Sequence, residues 1–239
     1  MDRAYAKQIV AFSGGKDSTA LILRMAELGE KFECLFTPTG NELPDLAPHM
    51  KRILEMAGSP VLHLPTGPTL TSLIEGFGAL PNWRQRWCTR MIKIVPCNAF
   101  LRSFDVTPIL VVGLRADEED RGGIYGDFAT YRYPLREWGW GIEELRAYLK
   151  TRGVTIPRRT DCALCYGQRL GEWWRLWKEH PAEYARGEFY EEQTGHTFRS
   201  PQRDSWPAPL IELRKAFESG RRPRGEDEDD DGACRVCSL

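Results

Sequence analysis

A glycine-containing loop near the N-terminus contains the side chains with the clearest chemical potential. Its residues are Ser13, Gly14, Gly15, Lys16, Asp17 and Ser18, with Thr19 directly after. Glycines let a ligand approach the backbone, and the N–H groups at the start of a helix attract anions. The carboxylate of Asp17 would repel a phosphate, so its presence favours a divalent cation that bridges it to a polyphosphate. A simple turn with a helix cap is the structural alternative.

Cysteines offer a second kind of chemistry. The chain has seven, and an odd number argues against a disulfide framework and for metal, cluster or thiol chemistry. Cys162 and Cys165 form a Cys-x-x-Cys motif, and Cys88 could supply a third thiolate. Three thiolates suit a 4Fe–4S cluster with one open iron, while zinc and thiols without a metal are the alternatives. Cys234 and Cys237 form a second such motif near the C-terminus, with a redox, sulfur-carrying or metal-binding role left open.

Polar residues also follow two later apolar runs. Thr39, Gly40 and Asn41 follow the second run, where a turn with a helix N-cap is the structural explanation. Arg115 follows the fourth run, and its planar guanidinium suits bidentate binding of phosphate or sulfate. The fourth run therefore predicts a further part of one anion-binding site.

A sheet is needed to bring these loops together. Continuous apolar runs at 8–12, 32–37, 61–64 and 109–113 predict buried parallel strands, with a further short strand in 131–135. Helical patterns alternate with them, so we expect a doubly wound, mostly parallel α/β sheet. The predicted helices are 18–28, 43–57, 70–76, 89–104, 142–152, 170–179, 181–193 and 207–218. Ligands of such sheets bind at the carboxyl ends of the strands, where the Ser13 loop falls.

Composition indicates three parts within the 239 residues. We expect a nucleotide-binding α/β domain over 1–140, a helical region with Cys-x-x-Cys over 141–219 packed on the same domain, and a disordered acidic tail over 220–239. The net charge of −1 creates no global field that favours nucleic acid or a membrane. With no long apolar run and no signal peptide in the sequence, we expect a cytoplasmic protein without membrane contact.

The Ser-Gly-Gly-Lys-Asp-Ser loop after a hydrophobic strand resembles the pyrophosphate loop of the adenine-nucleotide α-hydrolase (PP-loop ATP pyrophosphatase) superfamily. The Gly-Leu-Arg segment that ends at Arg115 and the pattern of Cys88, Lys93 and Pro96 are similar to the phosphoadenosine phosphosulfate (PAPS) reductase-like family, over about residues 7–170. This resemblance implies catalytic roles for Asp17, Lys16 and Arg115. It implies nucleotide contacts from Ser13, Gly14, Gly15, Ser18, Thr19, Thr39, Gly40, Asn41 and Lys93, and metal binding by Cys88, Cys162 and Cys165.

The resemblance implies an adenine nucleotide, which is ATP or a sulfonucleotide (PAPS or adenylyl sulfate), with Mg²⁺. In one interpretation, ATP adenylates an acceptor, pyrophosphate leaves and sulfur then displaces AMP. The sulfur would come from a donor protein or sulfide, with tRNA or DNA among the acceptors and a homodimer among the assemblies. The alternatives are a sulfonucleotide reductase and a non-catalytic nucleotide-binding module. The intact loop favours adenylation, because reductases of this family tend to have a degenerate loop. Residue 89 is threonine where cluster-containing reductases have a paired cysteine, which puts the cluster in doubt.

Overall fold

The computed structural model describes residues 6–118, 128–157, 160–201 and 203–224. Within these ranges the strands form one five-stranded parallel sheet in the order β3-β2-β1-β4-β5. The strands are β1 (Gln8–Ala11), β2 (Glu33–Leu35), β3 (Leu62–His63), β4 (Ile109–Val111) and β5 (Thr130–Arg132). The sheet confirms the predicted α/β class.

Helices flank the sheet and continue beyond it. They are α1 (Lys16–Glu27), α2 (Leu46–Met56), α3 (Leu70–Phe77), α4 (Val95–Arg102), α5 (Pro134–Glu137), α6 (Ile142–Thr151), α7 (Leu170–Glu179), α8 (Pro181–Thr194) and α9 (Leu210–Glu218). None of the helices in the described ranges combines the length and the apolar character that crossing a lipid bilayer requires.

Proline accounts for two differences from the predicted helices. The predicted helix 89–104 is divided into a π-helical turn, Thr89–Ile94, and α4. Pro96 lies in the first turn of α4. Residues in the first turn of an α-helix donate no intrahelical hydrogen bond, so the missing N–H of proline is tolerated there. The predicted helix 207–218 begins three residues later, at Leu210, since Pro209 restricts the backbone before it.

The position of β1 explains where a ligand would bind. Ile9 of β1 pairs with Glu33 on one side and with Leu110 on the other, so β1 is the central strand. The chain builds β2 and β3 on one side of β1 and then crosses to build β4 on the opposite side. Sheets of this kind bind ligands at the point where the strand order reverses. The loop after β1 lies at this point.

Apolar side chains hold the sheet and the later helices in place. Helices α1 and α6 pack in one cluster that contains Leu21 and Leu145, both fully buried. The C-terminal helices form another cluster around Trp173, which also includes Ile74 of α3. Cys34 is in the core, and burial raises the pKa of its thiol to about 12. Cys97 is likewise buried, with a pKa of about 11.

Candidate functional site

The conformation of the loop between β1 and α1 depends on a glycine and on hydrogen bonds of two serines. Gly14 has φ +74°, and a Cβ at this position would lie 2.6 Å from Leu46 Cδ1. The Ser13 amide donates to Ser18 Oγ at 3.2 Å, and Ser18 Oγ donates to the Gly15 carbonyl at 3.2 Å. Because only glycine fits the conformation and the space at position 14, the loop keeps its backbone close to any ligand.

The loop leads directly into the first turn of α1. Gly15 is the N-cap residue, and the Thr19 amide donates to its carbonyl at 2.9 Å, which starts the helical hydrogen bonds. The amides before Thr19 precede the regular helical bonds and point out of the helix. Thr19 itself is fully buried, so its side chain belongs to the core rather than to a ligand surface. Backbone amides of the preceding residues are therefore the candidate donors to an anion.

Asp17 and Arg115 form an ion pair at the start of α1. Arg115 Nη1 donates to Asp17 Oδ1 at 2.9 Å, and Arg115 Nε donates to Asp117 Oδ1 at 2.8 Å. The exposed fractions of the Arg115 and Asp17 side chains are 9% and 13%. Burial raises the pKa of Asp17 above the usual aspartate range, while the charges of Lys16 and Arg115 act against this shift. The pair therefore places a positive and a negative charge together beside the loop.

The loop after β4 approaches α1 closely. A Cβ on Gly113 would lie 3.3 Å from the backbone nitrogen of Ser18, so a larger residue would press on the first turn of α1. Asp117, which holds Arg115 from its other side, also accepts a hydrogen bond at 3.1 Å from the amide of Ile142, at the start of α6. The fold thus fixes Arg115 between two helix N-termini.

The loop after β2 forms the next wall of the site. Glu42 Oε1 accepts hydrogen bonds from the amide and the hydroxyl of Thr39. Gly40 has φ +69°, and a Cβ there would be 2.8 Å from Thr69 Cγ2. Asn41 is 3% exposed, and its Oδ1 has no hydrogen-bond partner among the described residues. The three predicted residues of this loop are therefore held in a tight turn at the same sheet edge.

Asn41 connects this loop to the first Cys-x-x-Cys motif. The side-chain Nδ2 of Asn41 donates to Cys162 Sγ at 3.0 Å, and the backbone carbonyl of Asn41 accepts from the Ala163 amide at 2.7 Å. Thr160, which precedes the motif, lies beside the loop between β1 and α1. A Cβ built on Gly15 of that loop would be 3.3 Å from Thr160 Oγ1. The structure therefore brings the cysteine loop to the predicted nucleotide edge.

The three predicted metal ligands lie near one apolar cluster. Cys88 and Cys162 both pack against the cluster around Trp173, and Cys165 Sγ accepts a hydrogen bond from the Gly167 amide at 3.4 Å. Within the part of the chain that the structure describes, no group of three or more His, Cys, Asp or Glu side chains is arranged to hold a metal ion. The metal site therefore stays a prediction.

Two site residues carry no recognisable signal in the sequence. His49 of α2 is 7% exposed and hydrogen-bonds with the backbone of Gly14, and burial lowers its pKa. Neither His49 nor Thr160 belongs to a spaced motif, and only the packing of α2 and of the cysteine loop reveals them. Lys93, by contrast, is predicted from the sequence, and it lies half-buried in the π-helical turn. Cys234 and Cys237 lie outside the described residues.

Comparisons with known proteins agree with the α/β fold. Residues 7–122 match the model of the phosphoadenosine phosphosulfate reductase domain family. The crystal structure of a phosphoadenylyl-sulfate (PAPS) reductase from Candida auris is similar, with 13% identity, coverage of 64% of this chain and 76% of that chain, and a TM-score of 0.51. At this identity the likeness concerns the fold.

A second solved structure is more distant. It is a predicted subunit of a tRNA methyltransferase from Methanocaldococcus jannaschii, with 15% identity, coverage of 63% of this chain and 90% of that chain, and a TM-score of 0.36. A comparison with curated protein sequences gives no match.

Proposed function

We infer that this chain belongs, through residues 7–122, to the PAPS reductase-like family of adenine-nucleotide α-hydrolases. On that premise we propose that it uses ATP to adenylate an acceptor and then transfers sulfur to that acceptor. An acceptor oxygen attacks the α-phosphorus, and the bond to the bridging oxygen breaks. Pyrophosphate leaves, and the acceptor keeps AMP as its leaving group. Sulfide then attacks the activated carbon, and AMP departs with the acceptor oxygen. Where a donor protein supplies a persulfide instead, its terminal sulfur makes the same attack, and a second thiol of the donor then forms a disulfide with the first and releases the sulfur on the acceptor.

One observation carries this proposal. The largely buried Asp17 carboxylate lies in the first turn of α1, inside a loop whose backbone is otherwise suited to anions. A carboxylate at that place has a clear use when a cation joins it to a polyphosphate. The backbone amides and Lys16 would bind the phosphates, and Arg115, through its 2.9 Å hydrogen bond, would position the Asp17 carboxylate.

The residues present suit magnesium at Asp17. This ion is usually held by one or two carboxylates together with phosphate oxygens of the substrate, so Asp17 can serve without a complete protein cage. Glu118 is a further candidate, since its Oε1 lies 3.8 Å from Arg115 Nη2 and its charge acts on the pKa of Asp17. Bound there, the ion would neutralise negative charge on the nucleotide phosphates.

Reduction of a sulfonucleotide is the second candidate, because the matched family model is that of the PAPS reductase domain. In this reaction a thiolate attacks the sulfate sulfur, and the nucleotide leaves with its α-phosphate intact. Cys162 is the described thiol best placed for it, as Asn41 joins it to the nucleotide edge. A nucleotide-binding module without turnover is the remaining alternative.

Two assays separate these reactions. The protein is incubated with α-labelled ATP, Mg²⁺, sulfide and either tRNA or DNA as acceptor, and AMP and pyrophosphate are measured. It is incubated separately with PAPS and a thiol reductant, and sulfite is measured. Release of pyrophosphate supports the adenylation proposal, whereas sulfite without pyrophosphate supports reduction. Nucleotide binding with neither product supports the binding module.

The iron–sulfur cluster on Cys88, Cys162 and Cys165 is tested independently, and no step of the proposed reaction depends on it. The protein is purified anaerobically, and iron, acid-labile sulfide and zinc are measured. Stoichiometric iron and sulfide that are lost in Cys88→Ala would establish the cluster, and stoichiometric zinc would establish the alternative metal. A metal-free protein that still releases pyrophosphate and transfers sulfur to the acceptor would show that the reaction needs no metal centre on these cysteines.

A further inference from the structure

Positive charge is concentrated in one segment of the chain. Residues 76–104 contain five lysines and arginines and no aspartate or glutamate, which leaves −6 for the remainder of a chain whose net charge is −1. The cations are Arg84, Arg86, Arg90, Lys93 and Arg102. Such local segregation attracts a polyanion to one face even when the whole molecule carries almost no charge.

The segment presents an exposed aromatic ring among its arginines. Trp83 is 63% exposed, and the Arg84 guanidinium lies over its ring at 4.8 Å from the centroid. The side chains of Arg84, Arg86 and Arg90 are exposed as well. We call these four residues the basic patch: Trp83, Arg84, Arg86 and Arg90.

A defined turn holds Trp83 in this position. Asn82 Oδ1 accepts hydrogen bonds of 2.9 Å from the amides of Arg84 and Gln85. The backbones of Asn82 and Gln85 also hydrogen-bond to each other, at 3.2 and 3.3 Å. The ring is therefore presented by an ordered turn, and little conformational freedom would be lost when a ligand stacks on it.

The basic patch is followed in the sequence by residues that pack with the cysteine loop. Trp87, which follows Arg86, makes an edge contact with Phe77 at 5.2 Å between ring centroids. Trp87 and Cys88 pack against the same apolar cluster as Cys162. One apolar cluster therefore supports both the end of the patch segment and the cysteine loop.

We propose that the basic patch binds single-stranded nucleic acid, with a base stacked on Trp83 and phosphates held by Arg84, Arg86 and Arg90. Proteins that bind single strands combine aromatic rings for the bases with cations that follow the backbone. This inference deepens the proposed function, on which it rests, by making a nucleic acid the acceptor of sulfur.

A small anion is a poorer occupant of this surface. The arginines of the patch are exposed and spread over an open surface, so they do not enclose a small anion. A sulfate or a single phosphate would also leave Trp83 uncovered. A strand of several nucleotides meets both features at once.

Fluorescence anisotropy with labelled oligonucleotides of about 15 nucleotides, within the length that single-strand sites cover, tests the proposal. RNA and DNA strands of the same sequence are used, together with the corresponding duplex. We expect binding of a single strand and about tenfold weaker binding for Trp83→Leu, with partial retention in Trp83→Phe. The Arg84→Gln/Arg86→Gln variant should bind more weakly and show a shallower dependence on salt, since each lost phosphate contact reduces that slope by about 0.7.

A charge-matched control comes from helices near the opposite end of the chain. Lys178→Gln/Lys215→Gln also removes two positive charges, here from exposed helix positions. This variant should bind the single strand as the unmodified protein does. Arg221→Gln removes another guanidinium that stacks on a tryptophan, at 3.7 Å from the Trp206 ring centroid, and should also bind normally. Circular dichroism verifies that each variant is folded.

The outcomes distinguish failure of nucleic-acid binding by the patch from failure of the adenylation reaction. Absence of binding by the unmodified protein, or an equal loss in the control variants, would overturn the proposal, as would a duplex bound more tightly than a single strand. Pyrophosphate release is measured separately, both without nucleic acid and with a saturating amount of the single strand as acceptor. Binding without pyrophosphate release would retain the patch and reject the adenylation reaction, whereas pyrophosphate release without binding would do the reverse.

Discussion

At the scale of single residues, the proposed reaction depends on the charge of Asp17. Burial alone would favour its protonated form, and the neighbouring charges of Lys16 and Arg115 oppose that tendency. The 2.9 Å hydrogen bond from Arg115 also fixes the direction of the carboxylate. A largely buried aspartate in a loop suited to anions costs stability, so we infer that its use lies in the bound state.

Replacing this carboxylate by an amide gives the first prediction. In Asp17→Asn the shape of the side chain is kept while the charge that would hold a cation is lost. We expect pyrophosphate release to fall by about a hundredfold or more, as for the loss of other transition-state contacts. Asp105→Asn, at an exposed position outside the site, is the matched control and should keep full activity. Equal activity of both variants would show that Asp17 has no role in the reaction.

At the scale of elements, the unit of β1, loop and α1 depends on one backbone conformation. Gly14 has a positive φ and no room for a Cβ, whereas Gly29 has φ +70° with nothing within 4 Å of the position that a Cβ would take. The two glycines therefore separate backbone strain from steric clash. Alanine at position 29 meets strain alone, and alanine at position 14 meets both.

This pair gives the second prediction. Gly29→Ala should lower the free energy of unfolding by about 1 kcal/mol and leave nucleotide affinity unchanged. Gly14→Ala should lower it by about 1–3 kcal/mol more, because its Cβ would press on Leu46, and should also weaken nucleotide binding. Urea unfolding and nucleotide titration measure the two effects. Normal nucleotide binding by Gly14→Ala would show that the loop tolerates another shape.

A buried carboxylate joins the C-terminal elements and makes stability depend on pH. Glu191 of α8 is 8% exposed and accepts hydrogen bonds from the amides of Phe198 and Leu210. Burial raises its pKa from 4.5 to about 7. The folded state therefore binds this proton more tightly than the unfolded state, and the stabilisation present below pH 4.5 is lost as the pH rises toward 7.

The third prediction follows from that sign. Between pH 4.5 and 7, the free energy of unfolding should fall by about 3 kcal/mol through Glu191. Glu191→Gln should lack this decline and, at low pH, should be less stable by about 1–2 kcal/mol, because its amide cannot accept both backbone hydrogen bonds as the carboxyl group does. Urea unfolding at a series of pH values gives both curves. Parallel curves for the two proteins would contradict the assignment.

The local elements of the site could be predicted from the sequence, whereas the contacts between them could not. An apolar run followed by Gly14 and Gly15 specifies a strand, a turn and a helix, because all three depend on neighbouring residues. The Arg115–Asp17 pair spans 98 positions and the Asn41–Cys162 contact spans 121. Such contacts are set by the order of strands in the sheet, which no local pattern contains. His49 escapes prediction for the same reason.

At the scale of the whole molecule, the loops with the candidate site residues lie at one edge of the sheet. The loops after β1, β2 and β4 lie there together with the cysteine loop, and the residues that follow the basic patch pack with Cys162 against the cluster around Trp173. The proposed nucleotide-activating site, the neighbouring thiols and an exposed cationic surface would suit the modification of a larger acceptor. The near-zero net charge conceals this arrangement, because the positive segment is balanced by acidic residues elsewhere.

The most direct test of the central claim is to measure the products formed from α-labelled ATP with Mg²⁺ and sulfide, in the presence of single-stranded nucleic acid. The adenylation proposal predicts AMP and pyrophosphate in equal amounts, with sulfur incorporated into the nucleic acid and no product from Asp17→Asn. Sulfite from PAPS, with ATP left intact, would contradict it and assign the chain to sulfonucleotide reduction.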